Sequence, residues 1–272
     1  VEGIIIDVTE RKVAEEKIAL LARTDGLTGL ANRATLIERL HQAFAAARRG
    51  ATPFAMFYLA LDPFKRINDT LGHPVGDLLL QEVARRIKAC VRENDVVARL
   101  GGDEFAILQL DVSDPTQSAS LAAKVRDALV LPYSLDGNDV RVSVSIGISS
   151  YSPRITSADG LLSQADMALY RSKEKGRNQY HFHSEEINQE VVERMTIASE
   201  LRTAIDHEEL ELRYWPEVDL SSGKILGMEA QVCWNHPERG LLEASAFLPA
   251  AEKTGAIIPL GHWVLDRACQ QM

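Results

Sequence analysis

Arg99-Leu100-Gly101-Gly102-Asp103-Glu104-Phe105 sets two glycines between the apolar runs 96–100 and 105–110. A Gly-Gly pair between β-prone runs reads as a tight hairpin, because glycine alone takes positive φ at both central positions without a Cβ clash. The turn then holds Asp103 and Glu104 at one rigid edge. Adjacent carboxylates repel, and they persist when solvated, protonated or neutralised by a cation. Hard oxygen ligands of this kind suit Mg²⁺ carrying a nucleotide phosphate; a solvated acidic hairpin tip accounts for the same pattern.

Working outward, the 272 residues carry 46% hydrophobic content, enough to bury a substantial core over one or two domains. The net charge of −9 argues against nonspecific binding to nucleic acid or to an anionic membrane surface, so phosphate-binding capacity must be local. Cys90, Cys233 and Cys269 lie far apart without metal-ligand spacing, which fits a reducing cytoplasm. No apolar run approaches the roughly 20 residues of a membrane span, and Val1-Glu2-Gly3 lacks the opening of a signal peptide. Val1 in place of an initiator Met predicts a fragment of a longer chain.

The β-branched run 3–9 reads as the last strand of a preceding domain, and Thr9 can cap the stretch that follows. Ala14, Ile18 and Leu21 then fall on one face of a short amphipathic helix over 10–23. Such a stripe needs a partner: a second copy in parallel, which makes a dimeric connector, or its own domain. From Asp25 helices and strands alternate. Asn32 caps a helix that Gly50 ends, and residues 54–61 form a nearly continuous apolar run suited to a central strand buried on both faces. Helices are predicted over 75–91, 116–129 and 159–173, and a strand within 140–149. The fold class is therefore α/β, a central mixed sheet wrapped by helices, followed from about residue 184 by a helical run and a second, strand-rich part from Leu210.

Asp62 ends the apolar strand, where α/β proteins commonly place ligand sites, and residues 63–69 read as a loop leading from it. The segment Gly72-His73-Pro74-Val75-Gly76-Asp77 opens a helix whose first amides favour anions. Lys173 and Arg177 lie four apart across a helix terminus, as solvated charge or as a clamp for triphosphate oxygens.

Six segments then recur in one order: residues 25–33, Phe64-Lys65 with Ile67-Asn68-Asp69, Gly72-His73 with Gly76-Asp77, residues 99–105, Ser145-Ile146-Gly147, and residues 165–170 with Lys173 and Gly176-Arg177-Asn178. The set resembles the GGDEF family of diguanylate cyclases. The resemblance implies a fold like nucleotidyl cyclases and polymerase palms, and condensation of two GTP, one on each of two facing domains, to cyclic di-GMP. It makes Asn68 and Asp77 readers of the guanine edge and turns Lys65, Lys173 and Arg177 to phosphate oxygens. Asp103 and Glu104 become the catalytic pair, holding Mg²⁺ or Mn²⁺ with the Leu61 carbonyl and, within reach, Asp62. Successive strand residues point to opposite faces, so both acids reach one place only if the pleat is irregular beside the turn.

The chain departs from the family at one ligand. The usual Asp-x-Asp-x-Phe-Lys reads here Ala60-Leu61-Asp62-Pro63-Phe64-Lys65, and a methyl group cannot ligate a cation. An electrostatic contact of this type is worth roughly two to three powers of ten in rate, while GTP can still bind. Arg92-Glu93-Asn94-Asp95 is by itself a surface ion pair of little worth. By resemblance, Arg92 and Asp95 form the inhibitory product site for cyclic di-GMP.

Both ends carry further resemblances. Residues 1–9 resemble the exit of a PAS sensor and 10–24 a signalling helix that pairs the GGDEF domain, 25–184, into a homodimer. A helical linker over 185–209 leads to 210–272. There Tyr214-Trp215-Pro216, Gly227-Met228-Glu229-Ala230-Gln231 and Trp234-Asn235-His236-Pro237 resemble the truncated start of an EAL-type phosphodiesterase, an incomplete barrel-type fragment. Three functions follow from the resemblance: a working cyclase, a cyclic di-GMP receptor, or a GTP-binding regulator of the EAL part.

Overall fold

The computed structural model describes residues 22–50 and 52–271, so the strand expected over 3–9 and most of the connector helix lie outside the described residues. The chain divides into two compact units, Val1–Asn188 and Gln189–Met272.

In the first unit, α1 (Arg33–Arg48) starts where Asn32 accepts from the Thr35 amide at 3.0 Å, and it is followed by Gly50 at φ 92°. Strand β1 (Ala55–Asp62) is buried along its whole length except at Tyr58, as its apolar run predicts for a central strand. The chain continues through α2 (Phe64–Leu71), α3 (His73–Cys90), β2 (Val96–Gly101), β3 (Glu104–Gln109) and α4 (Pro115–Val130). A short ribbon follows, β4 (Tyr133–Leu135) with β5 (Asn138–Val140), then β6 (Ser143–Ser150), α5 (Ala158–Glu174) and β7 (Tyr180–Phe182).

The sheet order is β2-β3-β1-β6-β7, with β1 antiparallel to both neighbours and β7 parallel to β6. Because alternate residues face opposite sides, Met56, Ala98, Ala106 and Leu108 pack with Leu36 and Leu40 of α1 and Leu161 and Ala165 of α5. Phe57, Leu59, Phe105 and Ile107 fill the other side, where α4 packs on β6 and α3 packs beside α4. The outer edge of β2 is covered by residues 25–31: Ala31 donates to the Val97 carbonyl and accepts from the Arg99 amide.

Two expectations shift. Residues 64–71 form a helix rather than a loop, because burying Phe64 and Ile67 outweighs the polar pattern of the segment. The strand expected within 140–149 is split, with β5 ending at Val140 and β6 beginning at Ser143.

Helix α6 (Glu185–Asp206) runs into the second unit, followed by β8 (Leu210–Val218), β9 (Ile225–His236), β10 (Gly240–Glu243), α7 (Ala244–Thr254) and α8 (Ile257–Gln271). Its three antiparallel strands are ordered β10-β9-β8, and its core joins Leu201, Val232, Trp234, Phe247 and Leu260. Among the described residues this is an open sheet with helices and no closed barrel.

Candidate functional site

The turn between β2 and β3 is built differently from the simple Gly-Gly hairpin. Gly101, at φ 146°, is the last residue of β2 beside a register shift after Arg99, and the turn itself is Gly102, at φ 51°, with Asp103. Asp103 therefore leaves the pleat and Glu104 begins the next strand. This is the irregularity that lets neighbouring acids escape strict alternation. The turn is tied to the central strand by the Leu61 amide, which donates to the Asp103 carbonyl at 3.3 Å.

Arg99 braces the turn from beneath. Its Nε and Nη2 donate to the Gly102 carbonyl at 3.0 and 2.8 Å, and its Nη1 lies 3.2 Å from both oxygens of Asp25. Asp25 also accepts from the Thr28 amide and hydroxyl at 2.9 and 2.6 Å. Burial works against its charge, but the Thr28 and Arg99 hydrogen bonds outweigh it and hold the carboxyl below its usual range. The 25–30 turn and the acidic hairpin are thus joined through the Asp25–Arg99 pair.

Ala60 lies directly between Glu104 on β3 and Ser145 on β6. Tyr58, Ala60 and Asp62 share a face, and residues paired across antiparallel strands bring their Cβ atoms within about 4.5–5.5 Å. A side chain at position 60 therefore meets Glu104, and here it is a buried methyl. The Tyr58 hydroxyl donates to Glu104 Oε2 at 2.9 Å. Burial, then the hydrogen bond and charge of Glu104, pushes the Tyr58 hydroxyl well above the ordinary phenol range, so it stays a donor.

Asp62 is 7% exposed, accepts from the Ser145 hydroxyl at 2.6 Å, and faces Arg177 Nε at 3.6 Å. Arg177 follows α5 in the left-handed region, at φ 60°, just after Gly176; Lys173 lies in the last turn of the same helix. On the far side of β1, Gly72 turns the chain from α2 into α3 and sets Asn68 against Gly76, beside Asp77. A Cβ on Gly76 would fall 1.9 Å from Asn68 Oδ1, an oxygen buried without a protein partner. Lys65 and Asp77 are exposed on α2 and α3.

Two of the carboxylates expected to hold a metal carry protein partners in this structure. Position 60 offers no donor, Asp62 is engaged by Ser145 and Arg177, and Glu104 by Tyr58. Among the described residues no three His, Cys, Asp or Glu side chains converge to hold a metal ion.

Arg92 and Asp95 close a tight turn, with Asp95 accepting from the Arg92 amide at 3.0 Å and from the Leu110 amide at 3.0 Å. Arg92 projects into solvent, and a groove of about 570 Å³ beside the turn is lined by Arg39, Phe54, Asp95, Val96 and Leu110. A cavity of about 820 Å³ at the opposite end of β6, around Tyr151, Arg154 and Gln164, touches none of these residues. Sequence reasoning missed the parts played by Tyr58, Ser145 and the Asp25–Arg99 pair. The available signal for Tyr58 was a lone polar atom two residues before Ala60 in an otherwise apolar strand.

Comparison with known proteins matches residues 22–179 to the family "Diguanylate cyclase, GGDEF domain" and residues 198–272 to the EAL domain. The bifunctional diguanylate cyclase/cyclic di-GMP phosphodiesterase MucR of Pseudomonas aeruginosa is 43% identical over 95% of this chain and 38% of its own length. The cyclic di-GMP phosphodiesterase PdeR of Escherichia coli is 36% identical over 98% of this chain and 40% of its own. The chain thus spans about two fifths of these relatives. Among solved structures, the GGDEF domain of YfiN (TpbB) from P. aeruginosa superposes with TM-score 0.58 at 36% identity, covering 61% of this chain and 97% of that one. The coiled coil and GGDEF domain of DgcB from Caulobacter crescentus, solved with c-di-GMP, gives TM-score 0.57 at 31% identity, covering 64% and 93%. This chain belongs to the GGDEF family of cyclic di-GMP signalling proteins and continues into an EAL domain.

Proposed function

We propose that the first unit is a guanosine triphosphate-binding GGDEF domain whose cyclase turnover is depressed, and that it acts chiefly as a nucleotide-responsive regulator of the EAL part. The observation that carries this reading is the pairing of Ala60 with Glu104, which leaves a methyl where a carboxylate would complete the acidic site. The binding residues that the resemblance assigns are all present in the chain. Asn68, with its unpartnered oxygen, and Asp77 read the guanine edge; Lys65 and Lys173 meet phosphate oxygens. Arg177, resting on Asp62, exchanges that carboxylate for phosphate when nucleotide arrives. Asp103 and Glu104 form the catalytic pair for two facing domains, each bringing one GTP.

Diguanylate cyclases of this family use Mg²⁺ or Mn²⁺, and the missing ligand slows chemistry rather than nucleotide binding. The decisive assay is GTP turnover with Mg²⁺ at several protein concentrations, for the unaltered chain, Ala60→Asp and Glu104→Ala. The expected result is a gain of about 10²–10³ in rate for Ala60→Asp and no product from Glu104→Ala. Full cyclase turnover by the unaltered chain, rising faster than linearly with protein, refutes the regulatory reading in favour of a dimeric cyclase.

A second reading, cyclic di-GMP reception, is favoured by the preformed Arg92–Asp95 turn beside its groove. Calorimetric binding of cyclic di-GMP that Arg92→Ala abolishes would support it; binding indifferent to Arg92→Ala would remove it.

A further inference from the structure

Glycine is a poor helix former, yet Gly76 lies buried in the first turn of α3. Its backbone is not in the left-handed region, so chain geometry does not call for glycine there. What excludes a side chain is space. A Cβ at this position would stand 1.9 Å from Asn68 Oδ1, 3.1 Å from Asn68 Cγ and 3.4 Å from Phe64 Cζ. The two closest atoms belong to one side chain, and that side chain is one of the two assigned to the base. An amide carries a donor and an acceptor on a single plane, and it reads a base edge only when one orientation is held. Here Oδ1 is buried in the notch at Gly76 while Asn68 as a residue is half-buried, which leaves Nδ2 as the end of the amide turned outward. Asp77, next to Gly76 on α3 and exposed, supplies carboxylate oxygens. A donor together with an acceptor matches the edge of guanine, where O6 accepts and N1–H and N2–H donate. Adenine presents the reverse, an amino donor at N6 and an acceptor at N1.

We propose that Gly76 is a positioning residue: by leaving room for the Asn68 amide it fixes which end of that amide meets the base, and so sets a preference for guanine over adenine. The inference rests on the nucleotide-binding reading above and adds a residue and a selectivity to it. A methyl at position 76 pushes the amide out of its notch by rotation of the Asn68 side chain, with no backbone atom among the closest contacts. Lys65, Lys173 and Arg177 are not among those contacts either, so the hold on phosphate is unchanged.

The experiment is titration calorimetry of the whole chain with non-hydrolysable analogues of GTP and ATP in Mg²⁺, for the unaltered protein, Gly76→Ala, Asn68→Ala and the double variant, with Tm measured for each. The unaltered chain is expected to bind the GTP analogue at least about tenfold more tightly than the ATP analogue. Gly76→Ala is expected to weaken the GTP analogue about tenfold and to leave the ATP analogue within about threefold, so that the preference collapses; a general loss of structure would weaken both. Adding Gly76→Ala to Asn68→Ala is expected to change neither Kd by more than about twofold, because the residue acts through the amide. A Gly76→Ala protein too unstable to titrate is judged by melting: the double variant must then regain the Tm of Asn68→Ala, and failure to do so overturns the proposal. A folded Gly76→Ala protein that keeps the guanine preference, a further loss in the double variant, or an unaltered chain that binds both analogues equally also overturns it while leaving nucleotide binding intact. Absence of binding of either analogue to any of the four proteins overturns the nucleotide reading and this inference with it.

Discussion

Replacing Gly147 by alanine tests the packing that places the end of α5, and with it Lys173 and Arg177, beside the site. A Cβ built on Gly147 would stand 2.0 Å from the Ala165 carbonyl oxygen, 2.1 Å from the Leu169 amide nitrogen and 2.8 Å from the Ala168 carbonyl carbon. All three are backbone atoms of α5, so no rotamer change relieves the clash. Recovering an ordinary separation of about 3.5 Å lifts the helix by roughly 1.5 Å and parts Leu161, Ala165 and Ala168 from the sheet. Overpacking costs about 1–3 kcal/mol, and because every atom met is helix backbone this position lies at the upper end, about 3 kcal/mol. For a domain of this size that lowers Tm by about 6–12 °C. Gly102→Ala is the comparison: φ is 51° with nothing within 4 Å of the added carbon, so only the left-handed backbone cost of about 1–2 kcal/mol applies. Scanning calorimetry of the full chain measures both, with Phe247→Ala in the other core marking the transition of the second unit. A Gly147→Ala protein that melts within about 2 °C of the unaltered chain, or above Gly102→Ala, refutes direct contact between α5 and β6.

Asn68→Ala is expected to leave stability unchanged or slightly raised, because it deletes a buried oxygen with no protein partner, yet to weaken binding of the GTP analogue about tenfold or more; a parallel loss of Tm would contradict this. Ser145→Ala leaves the buried Asp62 carboxylate with Arg177 alone and is expected to cost about 1–3 kcal/mol, read from urea midpoints, whereas a neutral effect would show that Asp62 is satisfied in another way. For Asp25, whose folded pKa is depressed, the stabilisation is present above its unfolded value near 4 and is lost as pH falls through the folded one. The urea midpoint of the unaltered chain should therefore fall toward that of Asp25→Asn on acidification below about pH 4, and a constant gap between the two would exclude the linkage.

Much of the fold was legible because its signals are local. The unbroken apolar run of β1, the Asn32 cap, the Gly50 stop and the 3.6-residue stripe of α3 each act within a few residues, and each element formed where they indicated. Helix α2 was illegible in the same terms: its polar sequence reads as loop, and only the burial of Phe64 and Ile67 decides it. The site residues of the first unit were named from motif resemblance, and the acids at 103 and 104 drew notice as a pair from their own chemistry.

By itself the sequence determined which groups are available to this protein, including the missing carboxylate at position 60, since chemical identity and short-range periodicity need no third dimension. Only the tertiary structure decided what those groups do to one another. Tyr58 meets Glu104 across 46 residues, Arg99 meets Asp25 across 74 and Ser145 meets Asp62 across 83. Strand order and register bring these side chains together. A shift of one residue would turn each to the opposite face of the sheet, so no reading of spacing along the chain could have paired them.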